Sequence, residues 1–235
     1  MRILVIGGMH GNEPLGFNVA RLFQDKHQKG VGAVIANEMA VNKNTRFIKQ
    51  DLNRAFPGSL RSNNYEKKRA GELLKLCKRY DLVLDFHNTY CPNNDCTFVG
   101  NQAKDLLFDV SSFLGLNRII IADYDCINKY APNCLSVEIS LKSSLMDPML
   151  WYESISKLAM QKSIPRRKSM QKYKFVYRIT LADRDRLKLD ERNLKAFKPI
   201  NAELAKKMGV KTPAFPIFIK DKYTPYNFGG LLNRI

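Results

Sequence analysis

Short apolar runs that end on glycine or polar residues alternate with segments of helical periodicity, and this alternation constrains the fold more than any other feature. Residues 3–6 read as a buried strand, and 13–26 as a helix because Val19, Leu22 and Phe23 recur at helical spacing. Strands at 32–36, 81–86, 119–122 and 136–139, with helices at 65–78 and 147–161, continue the pattern. Such a sequence is expected to build an α/β sheet flanked by helices. After Pro165 the texture changes. Phe175, Tyr177 and Ile179 alternate with polar residues, and 215–219 forms a short strand beyond Pro213. The chain is therefore expected to divide into an α/β unit of residues 1–164 and a smaller β-rich unit of residues 165–235. No internal repeat or low-complexity segment interrupts it.

At 235 residues and 45% hydrophobic content, the chain can bury a sizeable core. No apolar stretch approaches the ~20 residues of a spanning helix, and the first apolar run is too short for a signal-peptide core. A cytoplasmic protein with no membrane partner is the expectation. Cys77, Cys91, Cys96, Cys126 and Cys134 are an odd number of cysteines, which favours reduced thiols, and Cys91-x4-Cys96 is poor zinc spacing. The formal charge of +17 biases the chain toward anionic partners. However, Lys67-Lys68-Arg69, Arg166-Arg167-Lys168 and the scattered Arg178 to Arg192 show neither zinc-finger spacing nor an interleaved aromatic ladder. They read as solvated faces, and nucleic acid is not the expected partner.

Three polar clusters fall where predicted strands give way to loops: GGMHGNE, TRFIKQDLNRAFPG and DFHN. His10 and Glu13 are three apart, so one turn of helix or a tight loop can aim both at one point, and His87 comes just past an apolar run. Two imidazoles and one carboxylate form the set that holds a catalytic zinc at ~2.0–2.2 Å while leaving a fourth position to water. Taken singly, His-x-x-Glu is a solvated helix start and a strand-end His is a structural hydrogen-bonder; their joint placement after separate strands points to a metal. His27, amid Lys26, Gln28 and Lys29, reads as surface.

These segments resemble the succinylglutamate desuccinylase/aspartoacylase family, relatives of the zinc carboxypeptidases. GGMHGNE is similar to the family's first metal motif, NTRFIKQDLNRAFPG to its substrate-binding arginine segment, DFHNT to its third ligand, SVEIS to the strand of its catalytic glutamate, and PAFPIFIKDKY to its closing C-terminal strand and tyrosine. The resemblance covers most of the chain and is weakest over 94–122 and 163–196. It implies a zinc-carboxypeptidase-like mixed sheet and one Zn2+ per chain on His10, Glu13 and His87. It also implies Glu138 as general base, Arg46 polarising the scissile carbonyl, Asn53 and Arg54 gripping a substrate carboxylate, and Tyr223 closing the site, with Tyr226 as its rival. Asp85, two residues before His87 on the same strand face, reads equally as an acceptor that orients that imidazole and as a structural hydrogen-bonder. Without the resemblance, Glu138 is equally an ordinary strand residue and the loop arginines are surface.

The implied activity is hydrolysis of an N-acyl amino acid, a small-molecule substrate. A carboxypeptidase-like peptidase and a non-catalytic basic protein that binds nucleic acid are the alternatives, and an oligomer is compatible with either. One departure bears on the substrate. Aspartoacylases carry a further arginine about one strand before the catalytic glutamate, where it binds the side-chain carboxylate of acetylaspartate. Here the corresponding DYDCINKYAPNC has Asp125 near that point, with Lys129 as a substitute point charge. The expectation is that an N-acyl amino acid with a neutral or basic side chain is turned over faster than acetylaspartate.

Overall fold

Every residue of β1 (Ile3–Gly7) is buried, as a strand covered on both faces requires. Ile3 and Val5 pack with Leu15, Val19 and Phe23 of α1 (Pro14–Lys26) and with Trp151 and Ile155 of α6 (Pro148–Met160). Leu4 and Ile6 face the other way, onto Ala70, Leu73 and Cys77 of α3 (Tyr65–Cys77). The remaining elements are β2 (Val31–Ile35), α2 (Glu38–Asn42), β3 (Leu82–Thr89), β4 (Cys96–Val99), α4 (Leu106–Phe113), β5 (Arg118–Ile121), α5 (Ile127–Tyr130), β6 (Cys134–Ser140), β7 (Gln171–Thr180), α7 (Leu181–Leu187), α8 (Ala202–Lys207), β8 (Ala214–Ile217) and β9 (Asn227–Arg234). This computed structural model describes residues 1–165, 170–190, 192 and 194–235; the Arg166-Arg167-Lys168 cluster lies outside them.

The strands form one mixed sheet in the order β2-β1-β3-β6-β4-β5-β7-β9-β8. β1, β3 and β6 run parallel, so their C-terminal ends open on one edge, the usual place for a site in an α/β sheet. β3 continues to Thr89 because Asn88 and Thr89 still pair with Ile139 and Ser140 of β6. His87 therefore sits inside the strand, where the sequence suggested a position just beyond it. β4 enters antiparallel to β6 and parallel to β5.

Beyond β5 the same sheet continues through β7, β9 and β8. Ile179, Leu194, Ile200, Ala205, Met208 and Phe228 form a separate core there, beside the short helices α7 and α8. We propose that this core makes 165–235 a subdomain, joined to 1–164 through the β5–β7 ladder. Straight alternation would place Phe175, Tyr177 and Ile179 on one face. Instead the register slips between Phe175 and Tyr177, which leaves Val176 unmatched and puts Phe175 in a different core from Tyr177 and Ile179.

Among the described residues no helix is long and apolar enough to cross a membrane. All five cysteines are buried, and burial pushes the Cys77 thiol up to about 12 and those of Cys96 and Cys134 well above their usual range. Because the thiolate is the reactive form, a disulfide-exchange reagent at neutral pH is expected to titrate few thiols in the native protein and five after unfolding. Rapid labelling of several thiols in the native state would contradict this burial.

Candidate active site

Gly8, at φ +66°, turns the chain out of β1 in a conformation that side chains resist. Gly11 then passes so close to α2 that an added Cβ would stand 2.1 Å from the Ala40 carbonyl carbon. The loop shaped by these two residues presents His10 and ends on Glu13, the residue that precedes α1. The Glu13 carboxylate lies between two imidazoles, Oε1 2.7 Å from His10 Nδ1 and Oε2 2.9 Å from His87 Nδ1. Asn88 fixes this geometry from β3: its backbone N–H donates to Glu13 Oε2, and its side-chain oxygen accepts from Leu15 N at the start of α1.

His10, Glu13 and His87 are all buried, and one donor atom from each lies within 4.8 Å of the others. The far nitrogen of each imidazole meets a carboxylate of its own: His10 Nε2 is 3.0 Å from Asp51 Oδ1, and His87 Nε2 is 2.9 Å from Asp85 Oδ2. Such partners fix an imidazole's tautomer and leave the opposite nitrogen for a cation. Two oriented imidazoles and a carboxylate converging in a buried cluster suit a divalent cation. The electrostatics are consistent with that. Burial alone would raise Glu13, but His10 and His87 hold it well below the usual carboxylate range. Burial opposes a charge on His87, but Asp85 and Glu13 lift it well above the ordinary imidazole value.

Arg46, Asp51, Asn53 and Arg54 come from the segment after α2. Glu66 of α3 anchors it, its Oε1 accepting from Ile48 N at 2.8 Å and Lys49 N at 3.2 Å. The Arg46 guanidinium reaches Glu13 Oε1 at 3.2 Å and Asp51 Oδ2 at 3.1 Å. Burial disfavours its charge, and Glu13 and Asp51 more than offset that penalty. Asn53 Nδ2 lies 3.5 Å from His87 Nε2, and Arg54 stacks with its guanidinium carbon 4.8 Å from the centroid of the Tyr124 ring. The β3–β6 ladder sets Glu138 in register with His87. Burial pushes the Glu138 carboxyl well above its usual range; His87 and Arg46 pull it back, while Glu13 and Asp221 add to the rise.

The segment after β8 folds back over this end of the sheet. Asp221 accepts from Thr89 Oγ1, from Tyr90 N and from Tyr223 N at 2.9 Å, so it ties β3 to the segment that carries Tyr223. The Tyr223 hydroxyl donates to the Asn12 carbonyl at 2.8 Å. Tyr223 is buried and lines the cavity, whereas Tyr226 is 55% exposed.

Residues 1–125 match the family model described as the succinylglutamate desuccinylase/aspartoacylase catalytic domain. The chain belongs to this family. Among curated relatives, it is 31% identical over 129 residues to an N-acyl-aromatic-L-amino acid amidohydrolase (carboxylate-forming) of Xenopus tropicalis, covering 48% of this chain and 41% of that one. It is 38% identical over 122 residues to aspartoacylase of Mus musculus, covering 44% of this chain and 39% of that one. The matches thus span about two-fifths of those relatives' length. The fold is that of succinylglutamate desuccinylase from Chromobacterium violaceum (TM-score 0.75, 14% identity, all of this chain and 85% of that chain). Murine aminoacylase 3 shares it (TM-score 0.74, 20% identity, all of this chain and 95% of that chain).

On this family fold, His10, Glu13, Arg46, Asn53, Arg54, His87, Glu138 and Tyr223 all line one cavity. Asp125 and Lys129 do not. They pair with each other at 3.0 Å at the surface, with the Tyr130 hydroxyl 2.9 Å from the same Asp125 oxygen. The like charge expected to meet a second substrate carboxylate is thus turned outward: Asp125, just before α5, and Lys129, within it, are both exposed. Sequence reading missed Asp51, Asp221 and Arg178, all at or beside the site. Asp51 and Asp221 lay within the quoted motifs without any spacing that marked them, and Arg178 was read as part of a solvated basic face.

Proposed function

We propose that this chain hydrolyses the amide bond of N-acyl amino acids, with one Zn2+ held by His10, Glu13 and His87. The observation that carries this reading is the buried His-Glu-His donor set with Glu138 in register beside it. A Zn2+ held there supplies Lewis acidity toward a carbonyl and a water. Glu138, whose proton affinity is raised by burial, takes a proton from the attacking water and passes it to the leaving amine. Arg46 donates toward the scissile carbonyl oxygen, where negative charge develops; one such donor is worth ~3 kcal/mol of barrier. Asn53 and the planar fork of Arg54 hold the substrate's α-carboxylate, and Tyr223 covers the site.

The curated relatives, named as an N-acyl-aromatic-L-amino acid amidohydrolase and aspartoacylases, support this substrate class. The test is a panel of N-acetyl amino acids incubated with the Zn2+-loaded protein, with free amine as the readout. Release from several members, and far less from their C-terminal amides, is expected. Faster release from unacylated dipeptides would favour a peptidase, and no release from any substrate would refute the reading. In the same assay Asp221→Ala is expected to raise KM roughly tenfold, because Tyr223 loses the carboxylate that accepts from its backbone. Metal content should not change. An unaltered KM would remove Asp221 from any positioning role.

A further inference from the structure

We propose that Arg178 of β7 is a specificity-determining residue that selects substrates carrying a second carboxylate. This inference rests on the deacylase reading above. Arg178 lines the cavity with Phe175, three residues earlier on the same strand. In a regular strand, residues three apart point to opposite faces. The register slip at Val176, where Phe175 pairs with Leu232 but Tyr177 already pairs with Leu231, reverses the alternation and turns Arg178 onto the Phe175 face. Bulges of this kind commonly re-aim a side chain beside an active site.

The surroundings leave the guanidinium available. Arg178 is opposite Gly230 of β9, and Gly229 and Gly230 both line the cavity, so neither of these two positions puts a side chain over it. Among the described residues no carboxylate forms an ion pair with Arg178 or with Arg54. Arg54 stacks on the Tyr124 ring, and Arg54, Tyr124 and Arg178 line the same cavity. The cavity thus offers two planar cations without a direct carboxylate partner, one for the α-carboxylate and one for a second anion. A guanidinium recognises a carboxylate bidentately, so the match is specific as well as electrostatic. The second carboxylate can sit on the amino acid side chain or at the far end of the acyl group. The first outcome would reverse the expectation drawn from Asp125, which the structure turns away from the site; the second would leave it standing.

The experiment compares kcat/KM for isosteric pairs: N-acetylaspartate against N-acetylasparagine for the amino acid side, and N-succinylalanine against N-succinamylalanine for the acyl side. The native chain is expected to prefer the dicarboxylate of one pair by roughly ten- to hundredfold, mainly through KM. Arg178→Gln should bring that ratio close to one, and Arg178→Lys should restore part of it. Equal rates within both pairs, or a preference that survives Arg178→Gln, would overturn the inference. Equilibrium binding of the same four compounds separates this from failure of the deacylase reading. Dicarboxylate binding that Arg178→Gln abolishes, without turnover of any compound, would sink the activity and keep the Arg178 assignment. Turnover of monocarboxylates with no dicarboxylate preference would do the reverse.

Discussion

Replacing Glu138 with Gln is expected to lower turnover by ~10²–10⁴-fold while leaving bound metal unchanged. The substitution keeps the size of the side chain and its place opposite His87 in the β3–β6 ladder, and removes only the ability to take and return a proton. A purely structural strand residue would tolerate this exchange with little change in rate. Burial and the neighbouring carboxylates of Glu13 and Asp221 make Glu138 unusually ready to hold a proton, the property that a group serving first as base and then as acid requires. Measuring kcat and metal content on the same preparation checks the prediction. A variant that keeps native turnover would remove Glu138 from the chemistry.

His87→Ala is expected to lower metal affinity by orders of magnitude, since one of three protein ligands is lost. It also has a second consequence. Asp85 is fully buried, one of its carboxylate oxygens has no hydrogen-bond partner, and the other depends on His87 Nε2 and the Ser136 hydroxyl. Removing the imidazole leaves a buried carboxylate without its main partner, a loss of ~3–5 kcal/mol for broken buried pairs. A lower Tm is therefore expected along with the lost metal. The double variant Asp85→Asn/His87→Ala should recover much of the Tm but none of the metal affinity, which separates ligation from folding. Full metal occupancy in His87→Ala after dialysis against a chelator would place the metal elsewhere.

What could be read in the sequence follows from how local its signals are. β1, α1, α3 and the central strands announce themselves through apolar periodicity and the glycine or polar residues that end them, so their edges are found to within a few residues. His10, Glu13 and His87 are legible because the chemistry needs those residue types and the chain has few imidazoles to place. β4 is not legible. Its four residues, Cys96–Val99, are too short to show a period, and its antiparallel entry between β6 and β5 is a tertiary choice. Arg178 is hidden for a different reason: counting every second residue along β7 puts it on the wrong face, because one unmatched residue in the ladder reverses the count. Asp125 shows the converse error, since closeness in sequence to the Glu138 strand suggested a position in the site that the α5 turn does not give it. Asp51 reaches the metal-ligand set through its contact with His10, forty-one residues away, and no spacing rule reaches that far.

Metal and activity can be followed together by titrating Zn2+ into chelator-stripped protein while recording amine release from a turned-over N-acyl amino acid. The expected result is activity that rises with each addition and saturates at one equivalent per chain, with Glu138→Gln binding the same equivalent but showing no comparable rise. Full activity in the stripped protein, or one bound Zn2+ with no hydrolysis of any N-acyl amino acid, would contradict a metal centre at His10, Glu13 and His87 serving amide cleavage.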